Sequence, residues 1–135
     1  GTKDYGALSV WVQSQCRVRV VRVMPPSVFW PRPKVSSAIV EIVLDDALRA
    51  RIVDRGFFHH FVRGLFVHRR KFLRSQVLSA ASYQAATGGG GRPLDKPGVD
   101  RVLAATGLEG QRRAEELDVD TLLALAEAVR TAAAD

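Results

Sequence analysis

The stretch Arg17-Val18-Arg19-Val20-Val21-Arg22-Val23-Met24-Pro25-Pro26-Ser27-Val28-Phe29-Trp30-Pro31-Arg32-Pro33-Lys34-Val35-Ser36-Ser37-Ala38-Ile39-Val40-Glu41-Ile42-Val43-Leu44 decides how the chain folds. Its beginning alternates arginine with valine, which argues for a strand with one polar face near a sheet edge. Its end, Ser37 to Leu44, reads as a second and more buried strand. Between them Pro25, Pro26, Pro31 and Pro33 fix φ and remove four backbone donors, and each biases the residue before it toward extended geometry. The segment is therefore neither helix nor central strand. It is a stiff loop of about a dozen residues, long enough to be functional. Two adjacent strands joined by such a loop pair most simply antiparallel. The loop presents Phe29 and Trp30 beside Arg32 and Lys34. A flat apolar ring next to positive charge suits an unstacked base and its phosphate. The ordinary alternative is that these aromatics plug a core.

Outward from the loop, residues 4–15 read as a short amphipathic helix with Leu8, Trp11 and Val12 at i, i+3, i+4. Residues 48–82 read as helix, interrupted near Gly64. On that helix Phe57, Phe58, Phe61, Val62, Leu65, Phe66, Phe72 and Leu73 fill one apolar arc. Arg63, Arg70 and Arg74 form a ridge on the opposite side, with His59 nearby. Arg69 projects into the apolar arc, where a charge is costly unless paired. It is expected to bond a carboxylate or helix-end carbonyls, with Glu115 or Glu116 as candidate partner. Gly88 to Gly91 follow a helix pattern and precede Arg92-Pro93, which makes them a linker rather than a phosphate cradle. Residues 97–106 form a short helix with Pro97 in its first turn and Gly107 as its stop. Residues 112–117 form a turn or short helix. Asp118 N-caps a last helix from about Val119 to Ala133, with Leu122, Leu125, Ala126 and Val129 as its buried stripe.

Composition narrows the function classes. The chain has 135 residues and an apolar content of 47%, which is ordinary for a globular protein. No apolar run approaches the ~20 residues that span a bilayer. The single Cys16 excludes an internal disulfide, fits a reducing compartment and reads as a small buried apolar residue. One cysteine and three scattered histidines argue against a zinc site, and His59, His60 and His68 are assigned no chemistry. Net charge is +6, and its distribution matters more than its total. Residues 47–87 hold 8 cations and 1 anion, whereas residues 88–135 hold 6 cations and 9 anions. A basic block beside an acidic end is the footprint expected for polyanion binding. Against a merely solvated face stand the arginines on one ridge, whose planar forks grip phosphate bidentately. Arg63, Arg70, Lys71 and Arg74 are thus candidate RNA-backbone contacts.

Four motifs stand in order: Tyr5-Gly6-Ala7-Leu8-Ser9-Val10-Trp11-Val12-Gln13; Phe29-Trp30-Pro31-Arg32-Pro33-Lys34-Val35-Ser36-Ser37-Ala38; Phe66-Val67-His68-Arg69-Arg70-Lys71-Phe72-Leu73-Arg74; and Arg113-Ala114-Glu115-Glu116-Leu117. In this order and spacing they resemble the ribosomal RNA small-subunit adenine dimethyltransferase family over nearly the whole chain. Ser36 stands where that family commonly has Asp, and Arg32 where it commonly has Pro. The resemblance implies an α/β remnant, namely the final helix and antiparallel strand pair of a Rossmann-like methyltransferase domain (residues 1–46). A small all-α, RNA-docking C-terminal domain follows (residues 47–135). It implies that the parent enzyme transfers methyl groups from S-adenosylmethionine to two adjacent adenines near the 3′ end of small-subunit rRNA, during subunit assembly in the cytoplasm. Phe29 would flank the flipped adenine, with Trp30 as the alternative stacker. Arg32 and Lys34 are candidate RNA contacts, with capping of the following strand an equal alternative for Lys34. The family's cofactor-binding half and its Asn-x-Pro-Tyr-type tetrapeptide have no counterpart in this sequence. The chain is therefore expected to be the C-terminal part of a longer protein, inactive alone, monomeric, and free of metal and membrane. The competing readings are a non-catalytic rRNA-binding assembly factor and a large-subunit rRNA methyltransferase of the antibiotic-resistance branch.

Overall fold

The computed structural model describes residues 5–88 and 91–134. Asp4, which opens the first expected helix, and Gly89 and Gly90 of the glycine run lie outside the described residues. Helix α1 spans Ala7–Gln13, and strand β1 spans Cys16–Met24. A 3-10 turn at Pro26–Val28 opens the proline loop, which leads into strand β2, Ser37–Leu44. Then come α2 (Asp46–Arg49), α3 (Arg55–Phe66), α4 (Leu73–Ala86) and α5 (Lys96–Ala105). A second 3-10 turn, Ala114–Glu116, precedes α6 (Val119–Ala134). Among the described residues no helix is long and apolar enough to cross a membrane.

The two strands pair antiparallel, as their connection demands, from Cys16 opposite Leu44 to Met24 opposite Ser37. One residue breaks the register. Val20 faces Val40 and Arg22 faces Ile39, so Val21 is an unpaired bulge residue. The bulge resolves the interruption in the arginine–valine alternation. Side chains alternate faces along a strand, so without the extra residue Arg22 would turn to the valine side. With it, Arg17, Arg19 and Arg22 share one face, and Val18, Val20, Val23, Val40 and Ile42 share the other. Arg17 bonds the Asp45 carboxylate and Arg19 bonds Glu41. The expectation that β2 is the more buried strand is corrected. Ile39, Val40, Ile42, Val43 and Leu44 are all exposed, because among the described residues no layer covers β2 beyond its pairing with β1 and the contact of α1 with β1. Cys16 is half-buried rather than buried.

The core is helical. Phe57, Phe58, Phe61, Val62 and Leu65 of α3 are buried against Leu73, Val77, Ala80 and Ala81 of α4 and Leu122, Leu125, Ala126 and Val129 of α6. Val99, Val102 and Leu103 of α5 complete it. Helix starts follow the aspartates. Asp45, Asp54, Asp95 and Asp118 each accept from free N–H groups in the first turn of α2, α3, α5 and α6. Gly107, at φ +69°, follows α5 in a backbone region that a side chain disfavours.

Two helical expectations are corrected. Residues 48–82 fall in three helices, with breaks at 50–54 and 67–72 rather than at Gly64. Gly64 is a contact glycine inside α3, where a Cβ would stand 3.1 Å from Ala80 Cα. The chain turns back after Phe66 so that α4 can lie against this face, and the single arc is divided between the two helices. Phe72, expected in that arc, sits at the turn and is exposed. In α1 the buried residue is Val10, while Leu8 of the expected stripe is exposed. Trp11 packs against His59, with ring centroids 4.6 Å apart.

Gly64→Val forces side-chain atoms against the α4 backbone. Overpacking of this kind costs about 1–3 kcal/mol, read as a lower urea midpoint at unchanged slope; an unchanged midpoint counts against the close approach. A second expectation concerns pH. Burial, then Arg63 and His60, hold the His59 imidazole below its ordinary 6.5. Protonation therefore favours the unfolded chain. This contribution is complete above 6.5 and is lost as pH falls through the folded value. His59→Gln should flatten the decline in stability across that window, and a parallel decline in both proteins would refute the linkage.

Candidate nucleic-acid interface

Two surfaces carry the residues singled out in the sequence. The first is the proline loop at the end of the strand pair. Val28 N–H donates to Pro25 O and Phe29 N–H to Pro26 O, closing the 3-10 turn. The Trp30–Pro31 peptide is cis. The turn pushes both aromatics outward: Phe29 is 38% exposed and Trp30 96%. Neither plugs the core. Arg32 and Lys34 are exposed beside them, without an ion pair among the described residues. Arg22, two ladder positions from the loop, faces Ile39 rather than a carboxylate. Sequence reasoning did not single it out, because its face depends on the bulge.

The second surface is the turn between α3 and α4, residues 67–72. Here Arg69 does what its position requires. Its guanidinium donates to Tyr5 O at 2.5 Å and to Glu115 Oε2 at 3.1 Å, and it lies near the Phe66 ring. Gly6 leaves room for it, since a Cβ there would stand 3.3 Å from the guanidinium. The segment around Glu115 is fixed by backbone groups. Leu73 N–H donates to Arg112 O, and Arg74 N–H to Gly110 O. Gln76, fully buried, accepts from Ala114 N–H at 2.9 Å and donates to His68 O at 3.1 Å. The α4 N-terminus is thus capped by carbonyls of the 108–113 segment.

The expected ridge of Arg63, Arg70 and Arg74 is corrected by the same turn, because it assumed one continuous helix. Arg63 remains on α3, Arg70 and Lys71 stand in the turn, and all three are exposed. Arg74 is different. Its fork grips Asp100 bidentately, at 2.7 and 2.9 Å, and that bond holds the Asp100 carboxyl below its ordinary range. Its charge is matched inside the chain, tying α4 to α5. Arg112 is matched by Glu116. Arg113 has no carboxylate partner among the described residues; its guanidinium lies 5.7 Å from the centroid of the Phe72 ring.

No group of three or more His, Cys, Asp or Glu positioned to hold a metal exists among the described residues. Nor do they form a dinucleotide-type cradle. The positive-φ glycines, Gly88, Gly91 and Gly107, all follow helices rather than a strand. An open groove between α5 and α6, lined by Leu94, Val102, Ala105, Ala128 and Ala132, contains none of the loop or turn residues.

The fold, an antiparallel strand pair leading into a helical cluster, has counterparts among solved structures. A dimethyladenosine transferase from Plasmodium falciparum superposes with TM-score 0.64 at 23% identity, over 92% of this chain and 49% of that one. The 23S rRNA methyltransferase ErmE superposes with TM-score 0.53 at 18% identity, over 93% and 46%. These likenesses concern the fold. Residues 1–91 match the family described as ribosomal RNA adenine dimethylase. The "Ribosomal RNA small subunit methyltransferase A" of Desulfitobacterium hafniense (strain DSM 10664 / DCB-2) is 37% identical over 129 residues, 96% of this chain and 42% of the relative. The protein of that name from Bacillus mycoides (strain KBAB4) is 33% identical over the same share of this chain and 41% of its own length. The chain belongs to the ribosomal RNA adenine dimethylase family, and it spans about 42% of the length of the curated relatives it matches.

Arg69→Met removes the bonds to Tyr5 and Glu115 together. Bonds to a charged group contribute about 1.5–3 kcal/mol. Partial exposure of the pair, 35% and 24%, places the loss toward the lower end of that range. Thermal unfolding of the variant should reveal it, and an unchanged melting temperature would remove the clamp role.

Proposed function

We propose that this chain is the C-terminal part of an S-adenosylmethionine-dependent rRNA adenine N6,N6-dimethyltransferase. In this reading the parent methylates two adjacent adenines near the 3′ end of small-subunit rRNA, in the cytoplasm, during subunit assembly. The observation that carries it is the 37% identity, over 96% of this chain, to a relative named as a small-subunit rRNA methyltransferase. The large-subunit enzyme among the structural neighbours is only 18% identical, so the small-subunit reading is preferred. The described residues make no cradle for S-adenosylmethionine, so we assign the cofactor and the transfer step to a part of the parent outside this chain. This chain alone is then inactive.

Within this reading residues 1–46 complete the methyltransferase sheet and residues 47–135 dock the RNA as a monomer. The valine face of the ribbon lies open, which suits a layer of further chain packed over it. The stiff loop offers an aromatic surface to an adenine drawn out of its stack. Phe29 is the assigned stacker, held at the end of the 3-10 turn. Trp30, more exposed, is its neighbour on the RNA side. Stacking of this kind contributes about 1–3 kcal/mol per base. Arg32 and Lys34 hold the adjacent phosphates. Arg63, Arg70 and Lys71 grip the backbone further along, positioning the protein without reading sequence. Arg74, matched by Asp100, is left out of the gripping set.

Salt dependence of binding to small-subunit rRNA separates these roles. Each phosphate contact contributes about 0.7–0.9 to the slope of log affinity against log salt. Arg70→Ala and Lys71→Ala should each reduce the slope by about that much, while Arg74→Ala leaves it unchanged. Small-subunit rRNA should displace bound RNA better than large-subunit rRNA does. Equal displacement by the two rRNAs would overturn the small-subunit reading.

A further inference from the structure

We infer that Phe72 and Arg113 form a second base-stacking platform, separate from the proline loop, that takes an unstacked nucleobase beside the phosphates held by Arg70 and Lys71. The inference rests on the RNA-docking reading above and adds a site to it.

Three observations carry it. First, Phe72 is 53% exposed, in a turn whose neighbours Arg70 and Lys71 are exposed cations. A half-open aromatic ring beside cations leaves a flat apolar surface available for a base to stack on. Second, the ring has an ordered companion. The Arg113 guanidinium lies 5.7 Å from its centroid, within the range of a cation–π pair. Guanidinium planes and aromatic rings are the two side-chain surfaces on which unpaired bases stack. Third, the juxtaposition is built. Phe72 and Arg113 belong to segments far apart in sequence. They are fastened on both sides by Leu73 N–H to Arg112 O, Arg74 N–H to Gly110 O at 3.1 Å, and Ala114 N–H to the buried Gln76 Oε1 at 2.9 Å. The platform is thus preorganised, which lowers the entropy lost on binding.

The charges around it are sorted in the same sense. Arg69, Arg74 and Arg112 have carboxylate partners in Glu115, Asp100 and Glu116. Among the described residues Arg70, Lys71 and Arg113 have no carboxylate within 4 Å. Cations flanking a ring fit a single-stranded segment that presents bases and phosphates together. A duplex keeps its base faces stacked inside and offers none of them to a ring.

The test compares this chain with its Phe72→Leu variant, binding a short single-stranded oligoadenylate and an RNA duplex of similar length. Phe72→Leu should weaken single-strand binding about 5- to 150-fold, the loss of one stacked base. It should leave duplex binding and the salt slope unchanged, because no phosphate contact is lost. Phe72→Trp should restore single-strand binding, and Arg113→Ala should weaken it in the same direction as Phe72→Leu. A 2-aminopurine placed in the oligonucleotide should be quenched by the parent chain and less so by Phe72→Leu. Equal single-strand affinity of the parent and Phe72→Leu overturns the platform. So does an equal loss on single strand and duplex, which would mean that Phe72 only supports the turn. If Arg70→Ala lowers the salt slope while Phe72→Leu changes nothing, docking through the turn stands and the platform alone fails. If the parent chain binds neither RNA, the docking reading fails and the platform with it.

Discussion

The guanidinium of Arg69 holds together three stretches that the sequence keeps far apart: the segment entering α1, the turn between α3 and α4, and the 3-10 turn at Ala114–Glu116. A charge placed against an apolar helix face must be satisfied or it destabilises the fold. Here one fork answers a carbonyl and a carboxylate at once. Gln76 works at the same junction from the buried side, joining His68 to Ala114. The turn 67–72 is consequently fixed on both sides, and its outward residues are displayed at defined places. The basic surface of the protein depends on this inner arrangement more than on the number of its cations.

The same economy shapes the acids. The four aspartates at helix starts are engaged by N–H groups, and Asp100, Glu115 and Glu116 hold arginines. The acidic C-terminal block is thus woven into the scaffold. It sorts the arginines into those matched internally and those facing outward. In the ribbon, Asp45 and Glu41 sort Arg17 and Arg19 from Arg22 in the same way.

Much of this was legible beforehand where local chemistry decides. Prolines placed the loop, Asp118 and Gly107 marked helix boundaries, and the antiparallel ribbon followed from strand–loop–strand order. Arg69 was marked as a residue needing a partner, and Glu115 was among the acids named for it. Periodicity misled where the chain turns without a breaking residue. Val67 to Lys71 contain neither glycine nor proline, so the helical pattern ran on through them and carried Phe72 into the arc and Arg74 onto the ridge. Gly64 looked like a break because glycine has poor helix propensity. Its role is to let α4 come close, and only the partner helix reveals that.

The sequence by itself determined the family, the order of elements, the stiffness of the aromatic loop and the excess of positive charge in the middle of the chain. Those properties reside in residue types and short spacings. Tertiary structure alone decided which cations remain unmatched, which face Arg22 takes and which rings stay open. Each of those depends on a contact between distant segments: a bulge set by strand pairing, a carboxylate supplied by another helix, a loop fastened across a helix end. No local pattern encodes them, because the partner that selects each outcome lies tens of residues away along the chain.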